Sequence, residues 1–181
     1  MSENNLSLAT FANGCFWCTE AVFQRLEGVH QVKSGFTGGK IKNPPYREVV
    51  MGRTGHAEAI QISYDESVIS FEDLLYVFFS THDPTTLNRQ AYDVGEQYRS
   101  EIFYHNAKQK STAEQVMKTL NSAEYFDGKI VTKLSEASTF YVAEEEHQDF
   151  YNNFTENRYC QVIIEPKLAT LREKFSHKLK S

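Results

Sequence analysis

Two cysteines that lie three residues apart are the part of this sequence best suited to chemistry. Cys15 and Cys18 form a C-x-x-C pattern, with Phe16 and Trp17, the chain's one tryptophan, between them. A thiolate is a nucleophile, and two thiols at this spacing can close a disulfide. A nucleophilic sulfur beside two aromatic side chains suits a soft, apolar substrate. Redox chemistry at these thiols is therefore the first hypothesis.

Two other interpretations of the cysteines stay open at this point. A buried cysteine often acts as a small hydrophobic residue. A C-x-x-C pair can also supply half of a zinc site, which Cys160, the third cysteine, and a histidine would then have to complete. From this spacing we rank redox thiols ahead of an inert core. A metal site ranks last, because there is no second C-x-x-C pair.

The sequence around Cys15 predicts that it lies between a strand and a helix. Apolar residues alternate before Cys15 and recur at helical spacing after it: Leu6, Leu8 and Phe11, then Val22, Phe23 and Leu26. We expect the helix to end near Gly28. Free N–H groups and the positive end of the helix dipole would meet at Cys15, where both favour a thiolate over a thiol.

A carboxyl group is the second candidate for chemistry. Glu58 falls in phase with Ile60, Ile62 and Tyr64 in an alternating, strand-like segment. Strand side chains alternate between two faces, so Glu58 is expected on the apolar face. Burial there would raise its pKa and make it a proton donor near neutral pH. The alternative is that Glu58 lies in water at a frayed strand start.

The remaining pattern predicts an α+β fold. We expect strands near 29–32, over 101–104, over 130–134 and over 159–165, and helices that begin after Ser70, after Asn106, at Glu144 and at Pro166. This order has no strict alternation of strands and helices, which indicates a mixed sheet with helices packed on it. Residues 82–99 show little periodicity, which is typical of a functional loop.

Composition bounds the size and class of the protein. The chain has 181 residues, 40% of them hydrophobic, and we expect one domain over residues 1–181. The net charge of −5 argues against a nucleic-acid partner. There is no apolar run near the roughly 20 residues that cross a bilayer, and residues 1–5 lack a signal-peptide pattern. An odd number of cysteines, two of them close together, favours working thiols in a reducing cytoplasm.

Several ordered blocks of this sequence resemble the A-type peptide methionine sulfoxide reductases. The blocks are residues 14–17, 45–49, 55–59, 82–85 and 95–100. A lone C-x-x-C is a weak signal, whereas five blocks in order at compatible spacing are specific. The resemblance extends over about residues 8–171, nearly the whole chain.

The resemblance implies a fold, a reaction and a partner. The fold would be an α+β two-layer sandwich with a mixed β-sheet and a ferredoxin-like core. The reaction would be stereospecific reduction of the S-sulfoxide of methionine, free or in proteins, as protein repair under oxidative stress. It would need no metal and no bound organic cofactor. The reductant would be thioredoxin or another external dithiol, and the protein a cytoplasmic monomer with no membrane partner.

The resemblance also implies a role for individual residues. By position, Cys15 would be the nucleophile, Glu58 the acid, Tyr46 and Tyr98 donors to the sulfoxide oxygen, Phe16 and Trp17 the pocket for the substrate methyl group, and Asp93 a residue that shapes the site. Oxide is a poor leaving group, so protonation of the sulfoxide oxygen is the main catalytic requirement. These donors would supply it.

The identity of the second thiol has two candidates. Attack would leave Cys15 as a sulfenic acid, a second thiol would condense with it to a disulfide, and thioredoxin would reduce the disulfide by exchange. We favour Cys160, because it follows Tyr159 as the family's recycling cysteine follows a tyrosine. Cys18, one helical turn from Cys15, is the alternative, although many family members have glycine there.

One departure from the family pattern affects Asp93. The family has Gly-Asn before this aspartate, whereas this chain has Ala91 and Tyr92. Alanine lacks glycine's freedom at positive φ, so a turn that needs such a conformation would displace Asp93.

The histidines in family-like positions and two rival functions complete the expectations. For His56, His82 and His147 we favour structural hydrogen bonding over catalysis. A general thiol–disulfide oxidoreductase that uses Cys15 and Cys18 is one rival function. A module that binds methionine-containing peptides without turnover is the other.

Overall fold

The fold is built on short and medium β-strands. The structure is a computed structural model that describes residues 6–180. The strands are β1 Ser7–Asn13, β2 Val29–Thr37, β3 Ala57–Tyr64, β4 Arg89–Gln90, β5 Asp93–Val94, β6 Ser100–Tyr104, β7 Lys133–Glu136 and β8 Tyr141–Val142. The expectation that residues 1–5 carry no signal peptide lies outside the described residues.

Most of these strands form one mixed sheet. Their order is β7-β6-β1-β3-β2-β8, while β4 and β5 make a separate hairpin. β1 pairs antiparallel with β3 and β6, and β2 pairs antiparallel with β3 and β8. β7 runs parallel to β6. A mixed sheet combined with helices confirms the α+β prediction.

Two of the helices begin at residues whose side chains cap them. They are α1 Phe16–Phe23, α2 Tyr46–Val50, α3 Phe71–Ser80, α4 Ala107–Ser122, α5 Phe150–Asn153 and α6 Glu165–Phe175. Before α3, the Asp73 N–H donates to Ser70 Oγ at 3.0 Å and the Ser70 N–H donates to the Asp73 carboxylate, which forms a capping box. Asn106 caps α4 by accepting from the Gln109 N–H at 2.9 Å. Both predicted helix starts are confirmed.

The main core lies between one face of the sheet and the helices. Its largest fully buried members include Phe11, Ile60, Ile62, Tyr64, Phe23, Leu74, Phe78 and Phe79. Burial of each such side chain contributes about 1.5–3 kcal/mol. A smaller apolar cluster, formed by Ala12, Ala57, Ala59 and Phe103, is separate from the main core. Along β3, Glu58 has the same parity as Ile60 and Ile62, so it belongs to the helix-facing side.

The predicted strand over residues 159–165 is wrong. Cys160–Ile164 forms a π-helical turn that continues directly into α6. The run of β-branched residues 162–164 favours a strand locally, but Ile164, Leu168 and Leu171 are spaced for one helix face. All three are buried in the main core, so tertiary packing overrides the local preference.

Two other elements begin later than predicted or are shorter. The strand expected over residues 130–134 is β7, which starts at Lys133. The helix expected at Glu144 is a 3₁₀ turn, Glu145–His147, followed by the short α5.

The first helix ends before its predicted stop. α1 ends at Phe23 rather than near Gly28, and Leu26 forms a β-bridge with Leu179 instead. Within residues 6–180, no helix is long and apolar enough to cross a membrane.

Candidate active site

Cys15 lies at the junction of β1 and α1, as the sequence predicts. It is the N-cap residue of α1, and its carbonyl oxygen accepts from the Cys18 N–H at 3.1 Å. Gly14 makes the preceding turn at φ +111°, and a Cβ there would come within 2.8 Å of the Gln90 side chain. The turn at Gly14 thus places Cys15 directly before the first turn of the helix.

The Cys15 thiol is uncharged in this environment. Cys15 is 7% exposed. Burial, a hydrogen bond with the Cys18 thiol and nearby Glu58 raise the Cys15 pKa well above its ordinary value. A hydrogen bond from the Trp17 N–H acts in the opposite direction with a smaller effect. The expected resting thiolate at Cys15 is therefore wrong, because desolvation exceeds the help of the helix N-terminus.

Glu58 lies on the buried face, as the alternation in its strand predicts. It is 0% exposed, and its Oε1 accepts from the Phe16 N–H at 3.2 Å. Oε2 is buried and has no hydrogen-bond partner within the part of the chain that the structure describes. Burial is the main cause that raises the Glu58 pKa to about 8. Glu58 is therefore a protonated acid at neutral pH.

Cys15 and Glu58 lie beside each other. Each group acts on the other's ionisation, since Glu58 raises the pKa of Cys15 and Cys15 lowers the pKa of Glu58. The Phe16 N–H, one residue after Cys15, is bonded to the carboxyl. A sulfur nucleophile and a proton donor therefore meet at one place.

Aromatic rings form a wall next to the two groups. Trp17 stacks on Phe150 with ring centres 3.8 Å apart, and its Nε1–H donates to His147 Nδ1 at 3.4 Å. Tyr46 meets Phe16 edge-on at 5.9 Å and packs against His147 at 4.0 Å. This wall suits a small apolar group such as a methyl.

Two tyrosines stand near the acid. Tyr46 begins α2 and Tyr98 ends the turn Glu96–Tyr98. Burial first, and then the charge of Glu58, raises the pKa of both phenols. Both therefore stay protonated and can donate hydrogen bonds.

Asp93 is held in the site in spite of the alanine before it. Ala91 adopts φ +52°, the left-handed conformation that the sequence argument considered closed to alanine. Asp93 Oδ2 accepts a hydrogen bond from the Tyr159 hydroxyl at 2.8 Å. The predicted displacement of Asp93 is thus wrong, because the hairpin imposes the strained conformation on Ala91.

Cys18 borders a cleft that Cys15 also lines. The cleft has a volume of about 390 Å³ and is lined by both thiols, by Asp93, by Tyr159 and by Lys167, among others. The Cys18 sulfur lies 3.5 Å from the Tyr159 hydroxyl. Its pKa is lowered, first by the hydrogen bond with Cys15 and further by Lys167 and Tyr159, although burial opposes this. Of the two neighbouring thiols, Cys18 ionises more easily.

Cys160 is buried, like the other two cysteines. It is 0% exposed at the start of the π-helical turn. Burial and then Cys18 raise its pKa. Among residues 6–180, the group of side chains close enough to share a metal ion is Glu144, Glu146 and His147, which contains no cysteine.

The histidines divide into structural and site residues. His56 Nδ1 accepts from the Gly39 N–H at 2.9 Å. His82 bonds the Phe78 carbonyl oxygen at 2.6 Å and Ser100 Oγ at 2.8 Å, and burial lowers its pKa to about 3. Both match the structural expectation.

Comparison with known proteins identifies the family. Residues 7–179 match the family model described as peptide methionine sulfoxide reductase. The chain belongs to this family. The reductase is 55% identical over 173 residues to peptide methionine sulfoxide reductase MsrA 1 of Rhodopirellula baltica, across 96% of this chain and 89% of the relative. It is 51% identical to MsrA of Deinococcus radiodurans, across 95% and 84%.

Solved structures agree with the family. The reduced form of Mxr1 from Saccharomyces cerevisiae matches the reductase with a TM-score of 0.79 and 31% identity, across 88% of this chain and 91% of that one. Mxr1 in complex with Trx2 matches with a TM-score of 0.57 and 26% identity, across 81% and 86%. The reductase thus reduces methionine sulfoxide on the fold of its relatives.

Several residues of this reductase site were missed, or named without a place in the site, by the sequence argument. His147, expected only to form structural hydrogen bonds, completes the aromatic wall with Phe150, while Tyr159 and Lys167 line the cleft at Cys18. All four come from the C-terminal third of the chain and reach the site by tertiary packing. For Tyr159, the sequence signal was present in its position before Cys160, but it was used for that cysteine alone.

Proposed function

We propose that the chain reduces the S-sulfoxide of methionine, free or in proteins, through attack of Cys15 on sulfur with proton transfer from Glu58. The single observation that supports this most is the contact between a thiol and a carboxyl whose pKa is raised to about 8. A protonated carboxyl can donate to the sulfoxide oxygen as the sulfur–oxygen bond breaks.

The first chemical step balances without an outside proton. The Cys15 sulfur attacks the sulfoxide sulfur, while Glu58 gives its proton to the sulfoxide oxygen and receives the proton of the Cys15 thiol. Transfer of the resulting hydroxyl from the methionine sulfur to the Cys15 sulfur breaks the bond between the two sulfurs and releases methionine. Methionine is reduced and Cys15 is oxidised to a sulfenic acid. Because Glu58 is protonated again afterwards, it is ready for a second transfer.

The surrounding residues hold the substrate in this proposal. Tyr46 and Tyr98 donate to the sulfoxide oxygen, which their protonated state supports. Phe16 and Trp17 enclose the methyl group within the aromatic wall. Asp93 shapes the site through its bond with Tyr159. Discrimination of the S from the R epimer follows if the methyl and the oxygen have fixed positions.

The second step forms a disulfide between Cys15 and Cys18. The hydrogen bond between these thiols supports this choice over Cys160, which the sequence argument favoured. Cys160 can take over the disulfide from Cys18 in a later exchange, since Cys18 is near enough to raise the pKa of Cys160. Mass spectrometry after one turnover without reductant decides the pairing. We expect a Cys15–Cys18 bond with free Cys160, and a bond to Cys160 would contradict it.

Thioredoxin is the proposed reductant of this disulfide. The similarity to Mxr1 in complex with Trx2 supports this partner. All the redox equivalents of the cycle are carried by cysteines, so the proposal needs no metal and no prosthetic group.

A general thiol–disulfide oxidoreductase is the second candidate, favoured by the open cleft at Cys18 and the lowered Cys18 pKa. Glu58→Gln separates the two. Disulfide exchange requires no protonated oxide, so reduction of insulin by the chain would survive this change. Sulfoxide reduction would not.

The substrate assignment has a direct test. Cys15→Ser is expected to abolish reduction of methionine S-sulfoxide with thioredoxin, while wild type leaves the R epimer unchanged. Chiral chromatography of the remaining sulfoxide measures both. Equal loss of the two epimers in wild type would contradict the stereochemical part.

The finer structural and cellular properties are also proposals. A ferredoxin-like core in a two-layer sandwich is supported by the sequence β1-α1-β2-β3-α3-β6 with the spatial order β6-β1-β3-β2. We propose one domain over residues 1–181 and a monomer. Three free thiols support a reducing compartment, the cytoplasm, with protein repair under oxidative stress as the role.

A further inference from the structure

A half-buried lysine in the cleft at Cys18 has no carboxylate partner among the residues that the structure describes. Lys167 extends from α6, and its Nζ donates to the Thr81 carbonyl oxygen at 2.5 Å. Among residues 6–180, no carboxylate oxygen lies within 4.0 Å of this ammonium group. One carbonyl occupies one of its three N–H donors. A partly desolvated ammonium is stabilised by a nearby negative charge, and the two thiols and Asp93 in the same cleft are the groups that can carry one.

Cys18 is the group best placed to carry that charge. Burial lowers the Lys167 pKa, and Cys18 opposes this more strongly than Cys15 or Asp93 does. Both side chains line the same cleft. Lys167 in turn lowers the pKa of Cys18. The favourable pair in the cleft is thus an ammonium and a thiolate.

Tyr159 gives this thiolate a second polar neighbour. Its hydroxyl lies 3.5 Å from the Cys18 sulfur and 2.8 Å from Asp93 Oδ2. One hydroxyl proton cannot serve both acceptors, so the ammonium of Lys167 remains the fixed positive charge at Cys18. The other ionisable groups that act on or near Cys18 are Cys15, Glu58 and Cys160.

We propose that Lys167 is a positioning residue that makes Cys18 the thiolate nucleophile of the second chemical step. It acts through Cys18 and contacts no substrate. The inference rests on the proposed Cys15–Cys18 disulfide and specifies what drives its formation.

The proposed step balances in atoms and charge. The Cys18 thiolate attacks the sulfur of the Cys15 sulfenic acid, the sulfur–sulfur bond forms and the sulfur–oxygen bond breaks. The departing hydroxide takes the proton of Glu58 and leaves as water. Cys18 is oxidised as the Cys15 sulfur is reduced to the disulfide level, and the negative charge moves from Cys18 to Glu58.

The test separates the two chemical steps in single turnover. Enzyme with Cys160→Ser is mixed with less than one equivalent of methionine sulfoxide and quenched with acid at set times. Chromatography measures methionine, and intact mass after alkylation measures the loss of two free thiols. In Lys167→Gln, disulfide formation at pH 7 is expected to slow about tenfold or more, because less Cys18 is ionised. Methionine formation is expected to change less.

The pH profile and matched variants distinguish an electrostatic role from a structural one. In Lys167→Gln, the pH at which the rate of disulfide formation reaches half its maximum is expected to rise. Lys167→Arg keeps the charge and should restore the wild-type value of this pH. Lys174→Gln, an exposed lysine of the same helix, should leave both steps unchanged. An unchanged rate in Lys167→Gln, or an equal loss in Lys167→Arg, would overturn the proposal.

A measurement on the unmodified protein covers the case in which Lys167→Gln does not fold. Brief treatment of reduced wild type with iodoacetamide at pH 7, followed by peptide mapping, should label Cys18 before Cys15. Faster labelling of Cys15 overturns the inference. By contrast, a Cys15–Cys160 disulfide in wild type contradicts the proposed pairing itself, so the two failures are distinguishable.

Discussion

At the scale of residues, the site depends on a proton shared between two buried groups. Cys15 is a neutral thiol and Glu58 a protonated carboxyl in the resting site. In the proposed mechanism the thiol therefore needs no prior ionisation, because its proton replaces the one that Glu58 gives to the substrate oxygen. On this proposal the acid, rather than a resting thiolate, makes the attack feasible.

This arrangement predicts how methionine formation depends on pH. Glu58 is protonated below its pKa of about 8, so the single-turnover rate should fall as pH rises through 8. Glu58→Gln should lower the rate at pH 7 by about 10²-fold or more, since the amide has no acidic proton. Rapid-quench measurement of methionine checks both. A rate that rises steadily up to pH 9 would contradict the role of Glu58.

Sequence reasoning predicted that Cys15 and Glu58 would share a site, but it predicted the ionisation of Glu58 alone correctly. The alternation of β3 was enough to predict the burial of Glu58 and hence its raised pKa. The same reasoning gave the wrong charge for Cys15, because a helix N-terminus is visible in the sequence while desolvation by distant residues is not. Lys167 could not be predicted, since only tertiary packing brings α6 to Cys18.

At the scale of elements, the hairpin before the site stores strain. Ala91 holds φ +52° in the connection between β4 and β5, and Asp93 lies two residues further along the chain. The left-handed conformation costs a residue with a Cβ about 1 kcal/mol, a cost that glycine avoids. The element keeps this conformation because the hairpin pairs Arg89 with Val94 and Gln90 with Asp93.

The strain predicts an unusual effect of glycine. Ala91→Gly should raise the free energy of unfolding by about 0.5–1 kcal/mol, which is a rise in Tm of roughly 2–4 °C per kcal/mol for a chain of this size. Ala169→Gly, at an exposed position within α6, should lower the free energy of unfolding by about 1 kcal/mol. Thermal unfolding followed by circular dichroism measures both, and a loss of stability in both variants would refute the strain.

Element boundaries were predictable where a side chain caps a helix and not where packing decides. Ser70 and Asn106 marked helix starts that the structure confirms. The residues after Cys160 have strand-like composition, yet they turn into a helix because Ile164 and Leu168 pack against the core. Local pattern contains no information about that contact.

At the scale of the whole molecule, buried carboxyls couple stability to pH. Burial raises the Glu20 pKa to about 7, and the Phe150 N–H donates to its Oε1 at 3.4 Å. An unfolded glutamate has a pKa near 4.3. Between these values the folded state binds more protons than the unfolded state, so stability falls as pH rises from about 4.5 to 7.

Glu20→Gln removes this dependence on pH. The difference in the free energy of unfolding between the variant and wild type should therefore change sign with pH. At pH 5 the variant should be about as stable as wild type or less, and at pH 8.5 it should be more stable, by on the order of 2 kcal/mol. Urea unfolding at the two pH values measures the difference. Glu27→Gln, at an exposed position, should differ from wild type by the same free energy at both pH values. The same result for Glu20→Gln would contradict the raised pKa of Glu20.

The stacked indole also has an optical consequence. Trp17 is the chain's one tryptophan, and it lies against Phe150 and His147 at the place where the methyl group is proposed to bind. Excitation at long wavelengths, which selects indole over the ten tyrosines, therefore gives an emission that comes from the proposed methyl pocket alone. Substrate entry and each change in the neighbouring sulfurs should alter the emission, which gives stopped-flow kinetics an intrinsic probe without a label.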